Sequence, residues 1–226
     1  MTKIEEFENK IIEYGMSDKD FEEYKKLLKR CRDDFLKNQH CYITASKFKK
    51  ENHIQAIKLI NYGLENFVND DWSSKMRAYA ILSDIYLRIK DYDNAYKNML
   101  MSDQLAEFDS YHITNSIRLL WIKLHLDKFN YSPEIEMYLN LYMKDSEFSK
   151  AFINHKFISN IAKIVINLKN KDIKAVKLLY EDTLDIISPN YKGALYSILK
   201  NHKYTEKVEL TTEVKEYLEK ISKIIN

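Results

Sequence analysis

A chain of 226 residues, 45% of them hydrophobic, can bury a sizeable core, so global disorder is excluded. Gly 3 and Pro 2 are too few for glycine-rich phosphate loops or for sheets joined by tight turns, and the composition points to an all-helical protein. Lys+Arg 36 against Asp+Glu 34 leaves a formal net charge of +2, which gives no general pull towards nucleic acid or membrane.

The N-terminal stretch lacks the apolar core of a signal peptide, and the longest apolar runs fall far short of a membrane span. Cys31 and Cys41 form no CxxC and cannot make a four-cysteine zinc site, so free thiols in a reducing compartment are expected. A cytoplasmic protein follows. The 17 tyrosines and the many Lys, Asn and Ile read as AT-rich coding, not as a binding signature.

In chain order, Thr2 to Tyr14 carries Ile4, Phe7, Ile11 and Ile12 at helical spacing, with Gly15 as a stop. Ser17 caps the next helix, whose apolar stripe runs through Phe21, Tyr24, Leu28, Cys31 and Phe35. The pattern continues through Tyr42, Ala45 and Phe48, as one long helix or as two with a break near Asn38. His53 to Phe67 is helical on Ile54, Ile57, Ile60 and Leu64, and a polar connection with Asp70-Asp71 follows.

From Met76 to Glu107 two helices are joined by the tight turn Lys90-Asp91-Tyr92-Asp93, where Asp91 or Asp93 can cap the second. Ser110 to Phe129 is apolar on most sides and should be sandwiched between neighbours. Ser132 is expected to cap the next helix, with Pro133 at its first turn, and that helix runs to about Lys144. Ser146 to about Lys169 and Asp172 to Ile187 make a further pair, stopped by Ser188-Pro189. Asn190 to Lys200 reads as helical despite Gly193, and His202 to Leu210 has little pattern. A last helix begins at Thr211 or Thr212 and carries Val214, Tyr217, Leu218, Ile221, Ile224 and Ile225.

The second helices of these pairs are anchored at Ala56, Ala95, Ile135 and Ala175, in steps of 39, 40 and 40 residues. Within Met76 to Glu107, large residues stand at Tyr79, Leu82, Tyr86 and Met99, and small ones at Ser83, Ala95 and Ser102. In that pattern the stretch resembles a tetratricopeptide repeat. The family's usual proline near the end of the unit is absent, since Glu107 stands there. The step is longer than the family's roughly 34 residues. Units of this length resemble those of bacterial peptide-sensing regulators. The resemblance implies an α-α superhelix of about four tetratricopeptide-like hairpins over residues 38–188. Residues 1–37 and 189–226 would be helical caps on a single continuous array.

The search for chemistry returns no enzyme signature. No two histidines stand at i+3 or i+4, and GxSxG, P-loop and Rossmann fingerprints are missing. No metal or cofactor site is expected, and catalytic residues are none. His40 beside Cys41 is a poor thiolate–imidazole pair, because adjacent helical residues point about 100° apart. His125, beside Trp121, reads as a partly buried core histidine. Asp33-Asp34 and the basic runs at Lys25–Arg32 and Lys47–Lys50 read as solvated faces, so nucleic acid is not an expected partner.

What remains is the inner surface of the array. Arg77, Asp84 and Arg88 lie off the packed face of their helix, with Asn115 and Arg118 in the next unit and Asn160, Lys163 and Asn167 in the fourth. Asn can bond both backbone groups of an extended peptide and Arg can hold carboxylates. The resemblance implies the same peptide-binding use of these residues. The expected function is a non-enzymatic scaffold for a peptide or protein partner. The alternatives are a regulatory sensor that responds to a short peptide, and an enzyme subunit with an unrecognised site. The apolar face of the last helix could pair with a second copy as a homodimer.

Overall fold

The structure, a computed structural model, describes residues 2–67, 72–144, 153–188 and 210–226. It is all-helical, and no strand occurs among the described residues. The helices are α1 (Lys3–Tyr14), α2 (Asp18–Leu28), α3 (Asp34–Ser46), α4 (His53–Asn66), α5 (Trp72–Arg88), α6 (Tyr92–Gln104), α7 (Asp109–Leu126), α8 (Pro133–Met143), α9 (Ile153–Lys169), α10 (Ile173–Ile187) and α11 (Thr212–Ile225). A short 3-10 turn, Lys50–Asn52, leads into α4. Asp70-Asp71, Pro189 and the stretches 145–152 and 190–209 lie outside the described residues.

Local chemistry accounts for most boundaries. Thr2 and Glu5 form a reciprocal capping box at the start of α1, and Gly15 ends it at φ 86, in the region that favours glycine. Ser17 and Asp20 repeat the box on α2. There the Ser17 hydroxyl and then Lys10 hold the Asp20 carboxyl down to about 2. Thr211 caps α11 by accepting from the Val214 amide.

The break in the second helical stretch is not at Asn38. It lies between Leu28 and Asp34, because the Asp33 carboxylate accepts from the Leu36 amide at 2.8 Å and starts a new helix. Asp33-Asp34 is therefore a helix start, with Asp34 paired to Lys37, and not merely a solvated face. Asn38 sits in the middle of α3, 1% exposed.

Contacts divide the chain into two compact units, Met1–His112 and Ile113–Asn226, with the boundary inside α7. In the first unit, Ile11, Tyr24, Leu28, Cys41, Ala45, Leu59, Ile60, Leu82 and Ile85 form one core cluster. Each fully buried Leu or Ile in it contributes about 2 kcal/mol. In the second unit, Ile117, Leu119, Leu120, Ile122, Ile135, Ile161, Ile164, Val176 and Ile221 are buried. The helix α7 is covered on most sides, as its all-round apolar pattern requires.

The helix pairs share a rhythm. The second helices α4, α6, α8 and α10 begin at His53, Tyr92, Pro133 and Ile173, in steps of 39, 41 and 40 residues. In α5–α6 the small residues Ser83, Ala95 and Ser102 are fully buried, and the Ser83 hydroxyl donates to the Ala95 carbonyl at 2.7 Å. Leu82 and Met99 are buried beside them, while Tyr79 and Tyr86 are half-buried.

The turns of α5–α6 and α9–α10 are the same. Lys90 and Lys171 take left-handed φ values of 65 and 58. Asp91 and Asp172 follow at φ −86 and −85, both with ψ 76, and both cap the next helix. The Asp91 amide bonds Tyr86 O at 3.0 Å and the Asp172 amide bonds Asn167 O at 2.9 Å, the six-to-one closure of a helix C-terminus. The α7–α8 turn differs, with two left-handed residues, Lys128 and Phe129.

Candidate functional site

The residues expected on an inner surface fall into different environments. On α5, Arg77 is exposed, and hydrogen bonds to the Tyr42 and Tyr111 hydroxyls raise its pKa. Arg88 donates to the Phe48 carbonyl at 3.3 Å. Asp84, between them on the same helix, is half-buried. These three form a polar row whose two arginines are already anchored to the first unit.

In the second unit Asn115 is buried, at 5% exposure, and Arg118 is half-buried. Burial lowers the His155 pKa there, and the Arg118 charge lowers it further.

The remaining three residues are out of register with the row on α5. Asp172 stands 81 positions after Asp91, and the two turns superpose in conformation. That ruler aligns Asn160, Lys163 and Asn167 with Tyr79, Leu82 and Tyr86, on the face that packs inside the hairpin. The side chains behave accordingly. Asn160 is 4% exposed and donates to the Asp182 carboxylate of α10 at 2.8 Å. Lys163 acts on the same carboxylate, whose pKa is lowered by Lys156 and Asn160 against its burial. Asn167 bonds back to the Lys163 carbonyl of its own helix. The positions that match Arg77, Asp84 and Arg88 are Ile158, Val165 and Lys169. A shift of one residue turns a helix by about 100°, which is enough to exchange an outer face for an inner one.

A partly buried polar cluster occupies the first unit. Glu8 of α1 accepts from the Tyr24 hydroxyl of α2 and pairs with His40 Nδ1 of α3 at 2.8 Å. Tyr24 is fully buried and lies 3.4 Å from the Thr44 hydroxyl. Burial raises the Glu8 pKa, but His40, Tyr24 and Thr44 together outweigh it and the net shift is down. The Glu8 hydrogen bond pushes His40 up. Burial, with the Glu8 charge nearby, pushes the Cys41 thiol well up. His40 is thus committed to Glu8 and Cys41 is held as an unreactive thiol, so no nucleophile arises from the adjacent pair. Both cysteines are free.

The second unit contains a cleft of about 310 Å³. Three pieces of chain line it: the α7–α8 turn (Phe129, Asn130, Tyr131), the end of α9 (Val165, Leu168, Lys169) and α11 (Tyr217, Lys220, Ile221, Ile224). Tyr217 stacks on Phe129, with ring centroids 4.8 Å apart and planes 20° apart. The Lys169 ammonium sits 3.6 Å from the centroid of the Tyr131 ring. The lining mixes apolar side chains with polar surface from Asn130, Tyr131 and the two lysines; both charged lining groups are cationic, and no carboxylate is among them.

No family model, no curated protein and no solved structure matches the chain. No group of His, Cys, Asp and Glu among the described residues could hold a metal ion. No helix among them is long and apolar enough to cross a membrane.

The sequence reading missed the cleft entirely. The apolar stripe Val214, Tyr217, Leu218 and Ile221 was legible, but as the inner face of a cap. Phe129 and Tyr217 are far apart in the chain, and nothing local marks them as neighbours.

Proposed function

We propose that the chain is a non-enzymatic binding scaffold built from tetratricopeptide-like hairpins, which holds a peptide or protein segment against exposed helix faces. The observation that carries this is the recurrence of one turn, left-handed Lys then capping Asp, at Lys90-Asp91 and Lys171-Asp172. It stands beside second helices that start at near-equal steps. The buried contact of Ser83 with Ala95 suits the close helix approach of that repeat class. Free Cys31 and Cys41 suit a reducing compartment such as the cytoplasm.

In the first unit the surface offered is the α5 row Arg77, Asp84 and Arg88. The anchoring of Arg77 to two tyrosines and of Arg88 to a carbonyl preorganises the guanidinium groups, which lowers the ordering cost of binding an acidic or carboxylate-bearing segment.

The test is affinity capture with the full chain from a lysate of its native organism, repeated with the Arg77→Ala, Asp84→Ala, Arg88→Ala triple variant. Loss of the captured partner with the melting temperature kept supports the scaffold. Undiminished capture by the triple variant removes the α5 row from it.

A further inference from the structure

We infer that the cleft between the α7–α8 turn, α9 and α11 is a binding site for a small organic monocarboxylate with a compact apolar body, such as an arylacetate. This is a separate site from any segment held along α5.

The ligand class follows from what lines the cleft. Val165, Leu168, Ile221 and Ile224 make apolar walls, and the stacked rings of Phe129 and Tyr217 add an aromatic one. Lys169 and Lys220 supply two ammonium groups. Both are exposed, so their charges stand at the lip. Stacking over the Tyr131 ring fixes the Lys169 charge there and leaves N–H donors for an anion.

Tyr217 supplies a second, independent observation. It is 6% exposed, and its hydroxyl is buried with no hydrogen-bond partner among the described residues. A buried hydroxyl without an acceptor is unfavourable, and a carboxylate oxygen in the cleft would be that acceptor. A neutral apolar ligand would leave both lysines and this hydroxyl unanswered. A bare inorganic anion would leave the apolar walls wet.

Size narrows the class further. About 310 Å³ lies at the lower end of small-molecule sites, which suits one ring or a short branched chain with its carboxylate. A long acyl chain needs a deeper channel.

The experiment titrates the full chain with phenylacetate and follows backbone and aromatic NMR shifts. Phenylacetamide, acetate and inorganic phosphate serve as separate probes. Saturable shifts at Lys169, Tyr217 and Lys220 with phenylacetate are expected, at least about tenfold stronger than with any of the other three. The Lys169→Met, Lys220→Met double variant should lose at least about tenfold in affinity. Tyr217→Phe keeps the ring stack and should lose roughly three- to tenfold in affinity with no fall in melting temperature. Three results would overturn the assignment: equal binding of phenylacetamide, which would make the cleft merely apolar; equal binding of phosphate, which would make it merely cationic; or no saturable shift with phenylacetate up to its solubility limit.

Discussion

Glu8 and His40 meet at 2.8 Å across 32 positions of chain, and the same Glu8 oxygen accepts from the buried Tyr24 hydroxyl. One carboxylate thereby ties together α1, α2 and α3. The pair is half-buried, so solvent screens it less than an exposed ion pair.

This pair sets a pH window for stability. His40 is raised above its ordinary 6.5, so its contribution is complete below that value and is lost as pH rises through the folded pKa. Glu8 is lowered below its ordinary 4.5, so its contribution is complete above that value and is lost as pH falls through the folded pKa. Urea midpoints across pH should be highest between about 4.5 and 6.5 on account of this pair. His40→Gln should flatten the fall above that window. A variant with the same alkaline limb as the native chain would show that His40 does not set it.

Gly63 of α4 is a packing glycine. A Cβ there would meet Asn38 Oδ1 at 2.6 Å and Cys41 Cβ at 2.9 Å. Gly63→Ala gains roughly 1 kcal/mol of helix propensity. Overpacking against α3 should outweigh it, for a net loss of about 1–3 kcal/mol in chemical denaturation. Asn38, whose buried amide has no hydrogen-bond partner among the described residues, is the nearer obstacle. The double variant Asn38→Ala, Gly63→Ala should therefore be less destabilised than the sum of its parts.

The Ser83–Ala95 contact measures how close α5 and α6 must lie. Ser83→Ala removes one buried hydrogen bond and should cost about 1 kcal/mol. Ala95→Leu forces the helices apart and should cost more, about 1–3 kcal/mol. If Ala95→Leu were neutral by denaturant midpoint, the two helices would not be packed through small residues.

The Lys171-Asp172 turn predicts opposite signs at adjacent residues. Lys171 is exposed at φ 58, where glycine is free of the Cβ clash. Lys171→Gly should stabilise by up to about 1 kcal/mol. Asp172 accepts from the Ala175 amide at 3.0 Å, and Asp172→Ala should cost about 1 kcal/mol. Thermal melts of the two variants check both signs.

Helix starts were legible because their signals are local. Ser17 caps as read, and of the paired alternatives Asp91 and Thr211 are the caps, each acting within three residues of itself. Thr2 caps the helix it was placed inside, and Ser132 stands at the start of α8 without a capping bond, its hydroxyl donating to Asp127. The turn at Asp33 was overlooked, since an apolar stripe running through Phe35 masks a cap when only periodicity is followed. The approximate 40-residue step was also legible. Its phase was not: aligning on Ala175 is one position off, because the turn sets Val176, whose amide bonds the Asp172 carbonyl as that of Ala95 bonds Asp91. With the turns as the ruler, Asn160, Lys163 and Asn167 match Tyr79, Leu82 and Tyr86, and not Arg77, Asp84 and Arg88.

The sequence by itself determined an all-helical chain, several helix starts and a step of about 40 residues between second helices, because capping, periodicity and composition act over a few residues. Only the tertiary structure decided which polar residues are anchored, which are buried, and that Phe129, Lys169 and Tyr217 share a cleft. Those outcomes depend on the packing of helices distant in the chain, where a rotation of one residue about a helix axis changes every neighbour that a side chain meets.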